Sequence, residues 1–315
     1  MTCKVSRTKM KYELMLAFLF VFTFGLTTSC GGKKNENHND RAAFSTKISK
    51  TVAAKDLKHR YFLSAREALA EIIRSTSPSV VGLGEYHQTA KTINTLSALE
   101  RFRMDLLPVL APGTSDLILE TWLSEGNCGA TEKTVTGQVS QVSQRPDETE
   151  NETLRLLKSA RRLGVKPHIL EMRCTDYERV IKDGGVDYFE MLTLVARRLE
   201  DKAEALFAQS NNKKMRIIYS GAIHNDLTPD DDFAEFTYAP KVARAAKRLG
   251  GKFVEIDLYV PEFIETSETA KLEAWYSQFV ALASKDKAVL IELSESSFII
   301  GFRRGVSASK AKSLR

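Results

Sequence analysis

The 315-residue sequence holds four cysteines and neither a Cys-x-x-Cys pair nor a Cys/His cluster, so the common structural zinc sites are missing. It has no Gly-x-Ser-x-Gly elbow, which argues against a serine hydrolase. A Gly-x-x-x-x-Gly-Lys loop and a dinucleotide fingerprint are likewise lacking, so neither phosphate cradle is present. A strong excess of one charge is lacking: the formal net charge is +6, basic residues are interspersed with acids, and no basic and aromatic strip points to nucleic acid. The apolar run from Leu14 to Leu26 is too short to span a bilayer as a stable helix.

That run follows Lys4, Arg7, Lys9 and Lys11, the order of a secretory leader. It leads into Thr27-Thr28-Ser29-Cys30-Gly31-Gly32, which resembles a bacterial lipoprotein signal: a small residue precedes the cysteine that would be lipidated. Thr27 departs from the usual aliphatic residue, and ordinary secretion with cleavage nearby is the alternative. Residues 1–29 are thus expected to be a signal peptide and 30–55, polar and poor in apolar residues, a flexible tether. Residues 56–315 remain as a single domain. The protein is expected in the bacterial cell envelope, held to a membrane through a lipid on Cys30. Removing the leader's four basic and one acidic residues lowers the net charge to +3. With Cys3 lost and Cys30 lipidated, Cys128 and Cys174 are left; in an oxidising compartment they form a disulfide or remain two separate thiols.

Within the domain, apolar periodicity predicts alternating helices and strands. A helix capped by Ser64 runs to Ile73, and strands are expected at Ser79–Leu83, Asp116–Glu120, Val165–Leu170, Met215–Tyr219 and Lys252–Leu258. Helices are expected over 90–110, 152–163, 188–208, 239–249 and 272–282. The polar stretch from Leu123 to Thr149 shows no periodicity and reads as a long surface loop. Two apolar runs, 288–293 and 298–302, read as an antiparallel hairpin. The fold class is therefore α/β: a mainly parallel sheet flanked by helices, with a C-terminal antiparallel hairpin at the edge.

Two strands end in a Gly-x-x-His motif, Gly84-Glu85-Tyr86-His87 and Gly221-Ala222-Ile223-His224. Each glycine suggests a tight bend or a positive φ that brings the histidine to the sheet rim, where ligands of such sheets bind. Two other strand ends deliver Glu120 and Glu171 with Arg173. Two imidazoles and one or two carboxylates match the donors of a divalent metal such as zinc, manganese, cobalt or iron, which would acidify water. Alternatively a histidine activates water directly while a carboxylate orients it. Arg173 could hold a substrate carboxylate or an oxyanion, or pair with Glu171 or Asp176. His168, inside its strand, is expected to pack or to hold a hydrogen bond.

Gly84 to His87, Leu117-Ile118-Leu119-Glu120 and Gly221 to His224 together resemble the superfamily of Tiki and TraB-type proteases, erythromycin-esterase-like hydrolases and ChaN-type haem-binding lipoproteins. The resemblance covers most of residues 75–260 and implies an α/β fold with histidines and glutamates facing one cleft. It implies His87, Glu120 and His224 as metal ligands, and Glu85 as base or orienter beside His87. Arg173 would be catalytic, and Glu171 and Tyr86 would contact substrate. The expected function is an envelope-tethered metal-dependent hydrolase of an amide or ester bond in a small molecule or peptide. A ChaN-like uptake lipoprotein without enzymatic activity is the alternative; its haem would take imidazole ligands, and Tyr86 would be either an axial candidate or, the preferred reading, a packed aromatic.

Overall fold

A computed structural model describes residues 56–209 and 214–307; the expected leader, Cys30 and the tether lie outside them. Among the described residues, contacts divide the chain into two units, 57–263 with 282–307, and Asp56 with 264–281. In the second unit the described residues hold a short 3-10 turn at Ala270–Leu272. Trp275 meets Phe279 edge-on at 5.8 Å, and Gln278 donates to Asp56 at 3.3 Å. The helix expected from Leu272 begins only at Tyr276.

The larger unit is built on one eight-stranded sheet. Its strands are β1 (His59–Phe62), β2 (Val80–Glu85), β3 (Thr114–Ser124), β4 (Lys166–Met172), β7 (Met215–Gly221), β8 (Phe253–Tyr259), β9 (Ala288–Ser294) and β10 (Ser297–Gly301). Their order is β1-β9-β10-β8-β2-β7-β3-β4. From β10 to β4 all neighbours are parallel, while β1, β9 and β10 pair antiparallel. The expected hairpin is β9–β10. It is itself bordered by β1, a strand whose exposed residues gave no apolar signal. A second, two-stranded antiparallel sheet joins β5 (Ile181–Lys182) to β6 (Gly185–Val186).

Every residue of β2, β7 and β8 is buried, as is usual for central strands of a parallel sheet covered on both faces. Val81, Leu83, Ile217 and Leu258 pack to one side; Val80, Ile118, Ile218 and Phe253 pack to the other. Each such aliphatic side chain contributes about 1.5–3 kcal/mol on burial. The first helix, Ala65–Thr76, starts as expected at Ser64, whose hydroxyl accepts the Glu67 N–H at 3.3 Å, a cap typically worth about 1 kcal/mol.

Two further expectations fail. Residues 90–97 do not extend the next helix: they form a 3-10 turn, Ala90–Thr92, and a loop in which the Gln88 amide donates to the carbonyls of Thr92 and Thr95. The α-helix starts at Ala98 because Ser97 caps it, accepting the Glu100 N–H at 3.0 Å. The second failure concerns 123–149, which is no loop. It extends β3 to Ser124 and then forms the helix Gly129–Ser143. That helix buries only Val135, so it has no apolar stripe to betray it. Polar contacts fix it instead: Glu132 accepts the Cys128 N–H at 3.3 Å, and Gln138 accepts the Val186 N–H at 2.8 Å. Cys128, at its start, is disulfide-bonded to Cys174.

Candidate functional site

The carboxyl ends of the adjacent strands β2, β7 and β3 bring Glu85, His87, Glu120, Gly221 and His224 to one rim, where parallel sheets of this kind place ligands. Glu85 ends β2 opposite Gly221 of β7. Its Oε1 lies 2.8 Å from His87 Nδ1, and its Oε2 accepts the Tyr219 hydroxyl at 2.5 Å. A carboxylate only accepts, so the imidazole carries its proton on Nδ1 and leaves Nε2 bare. Burial first, then the charge of Glu85, pushes the Tyr219 hydroxyl well above the usual tyrosine range. Tyr219 therefore stays a donor, and the order Tyr219, Glu85, His87 is fixed.

Glu120 is placed by a bulge. Leu119 pairs with Ile169 and Trp122 with Leu170, so Glu120 and Thr121 have no partner on β4. Bulges of this kind re-aim side chains at sheet rims. The Glu120 carboxylate accepts the backbone N–H of Gly221, and its other oxygen is 3.9 Å from His224 Nε2. Burial alone would raise its carboxyl; His224, His87, Arg145 and the Gly221 N–H outweigh that and hold it below the usual range. His224 donates from Nδ1 to the Phe236 carbonyl at 2.6 Å, so its Nε2 faces the rim as well.

The two motif glycines act by close approach rather than by bending. Gly221 has φ −61°, and among the described residues Gly84 is not at positive φ. A Cβ on Gly84 would stand 2.1 Å from Asp257 Oδ1, and one on Gly221 2.9 Å from His87 Nε2.

One functional candidate gave no sequence signal. Arg145, from the supposed loop, donates through Nη2 to His87 Nε2 and stands 3.8 Å from Glu120 Oε1. Its neighbour Gln144 takes a left-handed conformation, φ 47°, a placement no periodicity reveals. Arg173 and Glu171, by contrast, are not brought to this group. Their side chains are 67% and 69% exposed, Arg173 pairing with Glu125 and Glu171 with Lys202. The reason is the alternation of β4 and the helix start at Cys174: Arg173 precedes that helix, and Asp176 turns back to accept its N–H at 2.8 Å. Tyr86 meets Tyr259 edge to face at 5.2 Å. His168 holds Asp116 at 2.8 Å, which fits the expected hydrogen-bonding role.

His87, Glu120 and His224 are the donor types a divalent ion takes, and each imidazole has the Nδ1 acceptor that metal-ligating histidines usually have. Their placement is a poor fit, however. Arg145 directs a cationic donor at His87 Nε2, and Glu120 already accepts the Gly221 N–H. No three His, Cys, Asp or Glu side chains among the described residues are grouped to hold a metal.

No protein-family model and no curated protein matches the chain. Among solved structures it is similar to one titled "The structure of the type III effector HopBA1", with 12% identity, 79% of this chain and 98% of that chain covered, and a TM-score of 0.39. A likeness that slight informs neither mechanism nor substrate.

Proposed function

We propose that the protein is a hydrolase of ester or amide bonds in which His87 is the general base. The observation that carries this is the chain of contacts from Tyr219 through Glu85 to His87, which fixes the tautomer a base needs. His87 Nε2 takes a proton from water as the hydroxide adds to the acyl carbon. The proton then passes to the leaving oxygen or nitrogen as its bond to that carbon breaks. Glu85, in contact with the ring, and Glu120, ionised nearby, stabilise the imidazolium formed between those steps. Metal ions are given no step, because the donors as placed do not fit one.

The likeness of the two Gly-x-x-His motifs to erythromycin-esterase-like and Tiki-type hydrolases supports the same reading. The leader and Cys30 support a lipid-anchored place in the envelope. Replacing Cys30 with alanine should then move the protein from the membrane fraction to the soluble one. Hydrolysis is tested with a panel of activated esters and anilides on the intact protein and on His87→Gln. Turnover should fall about 100-fold or more in the variant, the usual worth of a general base, and should survive a chelator. Equal turnover in a folded variant sinks the proposal. Loss on chelation with recovery on adding a divalent ion returns the site to the metal-dependent reading.

A further inference from the structure

The base of the proposed site is covered in the structure, and the cover is a cation. Arg145 contacts His87 Nε2 and approaches Glu120 Oε1 through the same nitrogen, Nη2. Among the described residues its Nη1 and Nε have no partner, and the side chain remains 30% exposed. A guanidinium serving mainly to neutralise Glu120 would present its fork to that carboxylate. Here a single arm, Nη2, meets one ring nitrogen, and the rest of the fork is left over.

The position of Arg145 is built. The helix Gly129–Ser143 ends at Gln144, whose N–H bonds to the Ser140 carbonyl at 3.1 Å and whose own carbonyl accepts the Ala90 N–H at 3.2 Å. A left-handed glutamine costs about 1–2 kcal/mol, and such local strain gathers at functional sites. Beyond Pro146 the next helix begins at Glu148. At its other end the first helix is tied by the Cys128–Cys174 bond. The turn therefore aims Arg145 from two fixed helices.

We propose that Arg145 is the anion-binding residue of this site, and that the bond hydrolysed belongs to a substrate carrying a carboxylate or similar anionic oxygens close by. The proposal rests on the hydrolytic reading of His87. A planar guanidinium matches two anionic oxygens, and such charge-assisted bonds are roughly twice as strong as neutral ones. An anionic substrate therefore draws Arg145 off His87 and frees the lone pair that must accept a proton. A neutral substrate offers no acceptor good enough to do so, and the base stays covered. The anion both anchors the substrate and uncovers the base.

Two arms test this on the intact protein. In the binding arm, succinate is added at constant ionic strength while the His87 Nε2 resonance is followed by ¹⁵N NMR. It should move saturably in the wild type and stay still in Arg145→Gln. No movement in the wild type, or equal movement in both, overturns the proposal whether or not any ester is turned over. The kinetic arm compares the p-nitrophenyl monoester of succinate with its methyl diester. The wild type should favour the anionic ester by roughly tenfold or more in kcat/KM, and the ratio should collapse to about one in Arg145→Gln. A wild-type ratio near one overturns the proposal. If succinate binds as stated and neither ester is hydrolysed, the anion site stands and the hydrolase reading fails.

Discussion

Tyr219 donates its hydroxyl to Glu85 at 2.5 Å while His87 takes the other carboxylate oxygen at 2.8 Å. Both partners of the first bond are buried, so losing the hydroxyl leaves a desolvated carboxylate oxygen. Tyr219→Phe is expected to cost about 1.5–3 kcal/mol of stability, the worth of a hydrogen bond to a charged group. It should lower kcat more than it raises KM, because substrate is not what Tyr219 touches. Urea denaturation and steady-state kinetics check both. A variant as stable and active as the wild type would show that Tyr219 positions nothing.

The two motif glycines should respond differently to alanine. At Gly84 the new methyl meets Asp257 Oδ1 and the backbone of Ala222, so overpacking of about 1–3 kcal/mol is expected. At Gly221 the nearest atom is His87 Nε2, at 2.9 Å, and the imidazole must give way. Gly221→Ala should therefore lose hydrolysis while keeping most of its melting temperature, and Gly84→Ala should show the larger drop in melting temperature.

These glycines also show what the sequence could tell. Apolar runs located the buried strands, since a strand covered on both faces is predominantly apolar. The histidines and Glu120 at the strand ends were visible for the same reason. Why the glycines were there was not legible, because the atoms they accommodate, Asp257 Oδ1 for Gly84 and His87 Nε2 for Gly221, come from distant parts of the chain. Glu120 was found, whereas the bulge that aims it was not. Arg145 stayed hidden because its helix buries Val135 alone and is held by Gln138, Glu132 and a disulfide. Arg173 was a reasonable candidate by chain position, yet the helix at Cys174 turns it to solvent.

The bond between Cys128 and Cys174 spans 46 residues, a length for which cross-linking contributes about 2–4 kcal/mol. Replacing both cysteines by serine should lower the melting temperature accordingly. It should also loosen the turn at Gln144, seen as faster amide exchange there than in β2. Unchanged exchange across residues 129–147 would mean that the helix needs no tie.

A buried acidic pair lies behind the helix Ala222–Asn225 on β8. Burial, then the charges of Asp257 and Asp226, raises Glu255 to about 9. Burial raises Asp257 to about 6 against hydrogen bonds from Tyr259 and Asn225. Raised carboxyls bind protons more tightly in the folded state, so their contribution is complete below the ordinary values of 4.5 and 3.8. It is lost as pH rises through the folded ones. Stability should therefore decline from about pH 5 toward pH 9. Glu255→Gln should decline less over that window and be the more stable protein at its upper end. Parallel curves for the two proteins, from urea denaturation at each pH, would contradict this.

The tautomer of His87 tests the account most directly, because the proposed base exists only if Nε2 is bare. Long-range ¹H–¹⁵N correlation at neutral pH should show His87 protonated on Nδ1 and unprotonated on Nε2, with that state lost in Glu85→Gln. A proton on Nε2, or a tautomer indifferent to Glu85, would contradict it.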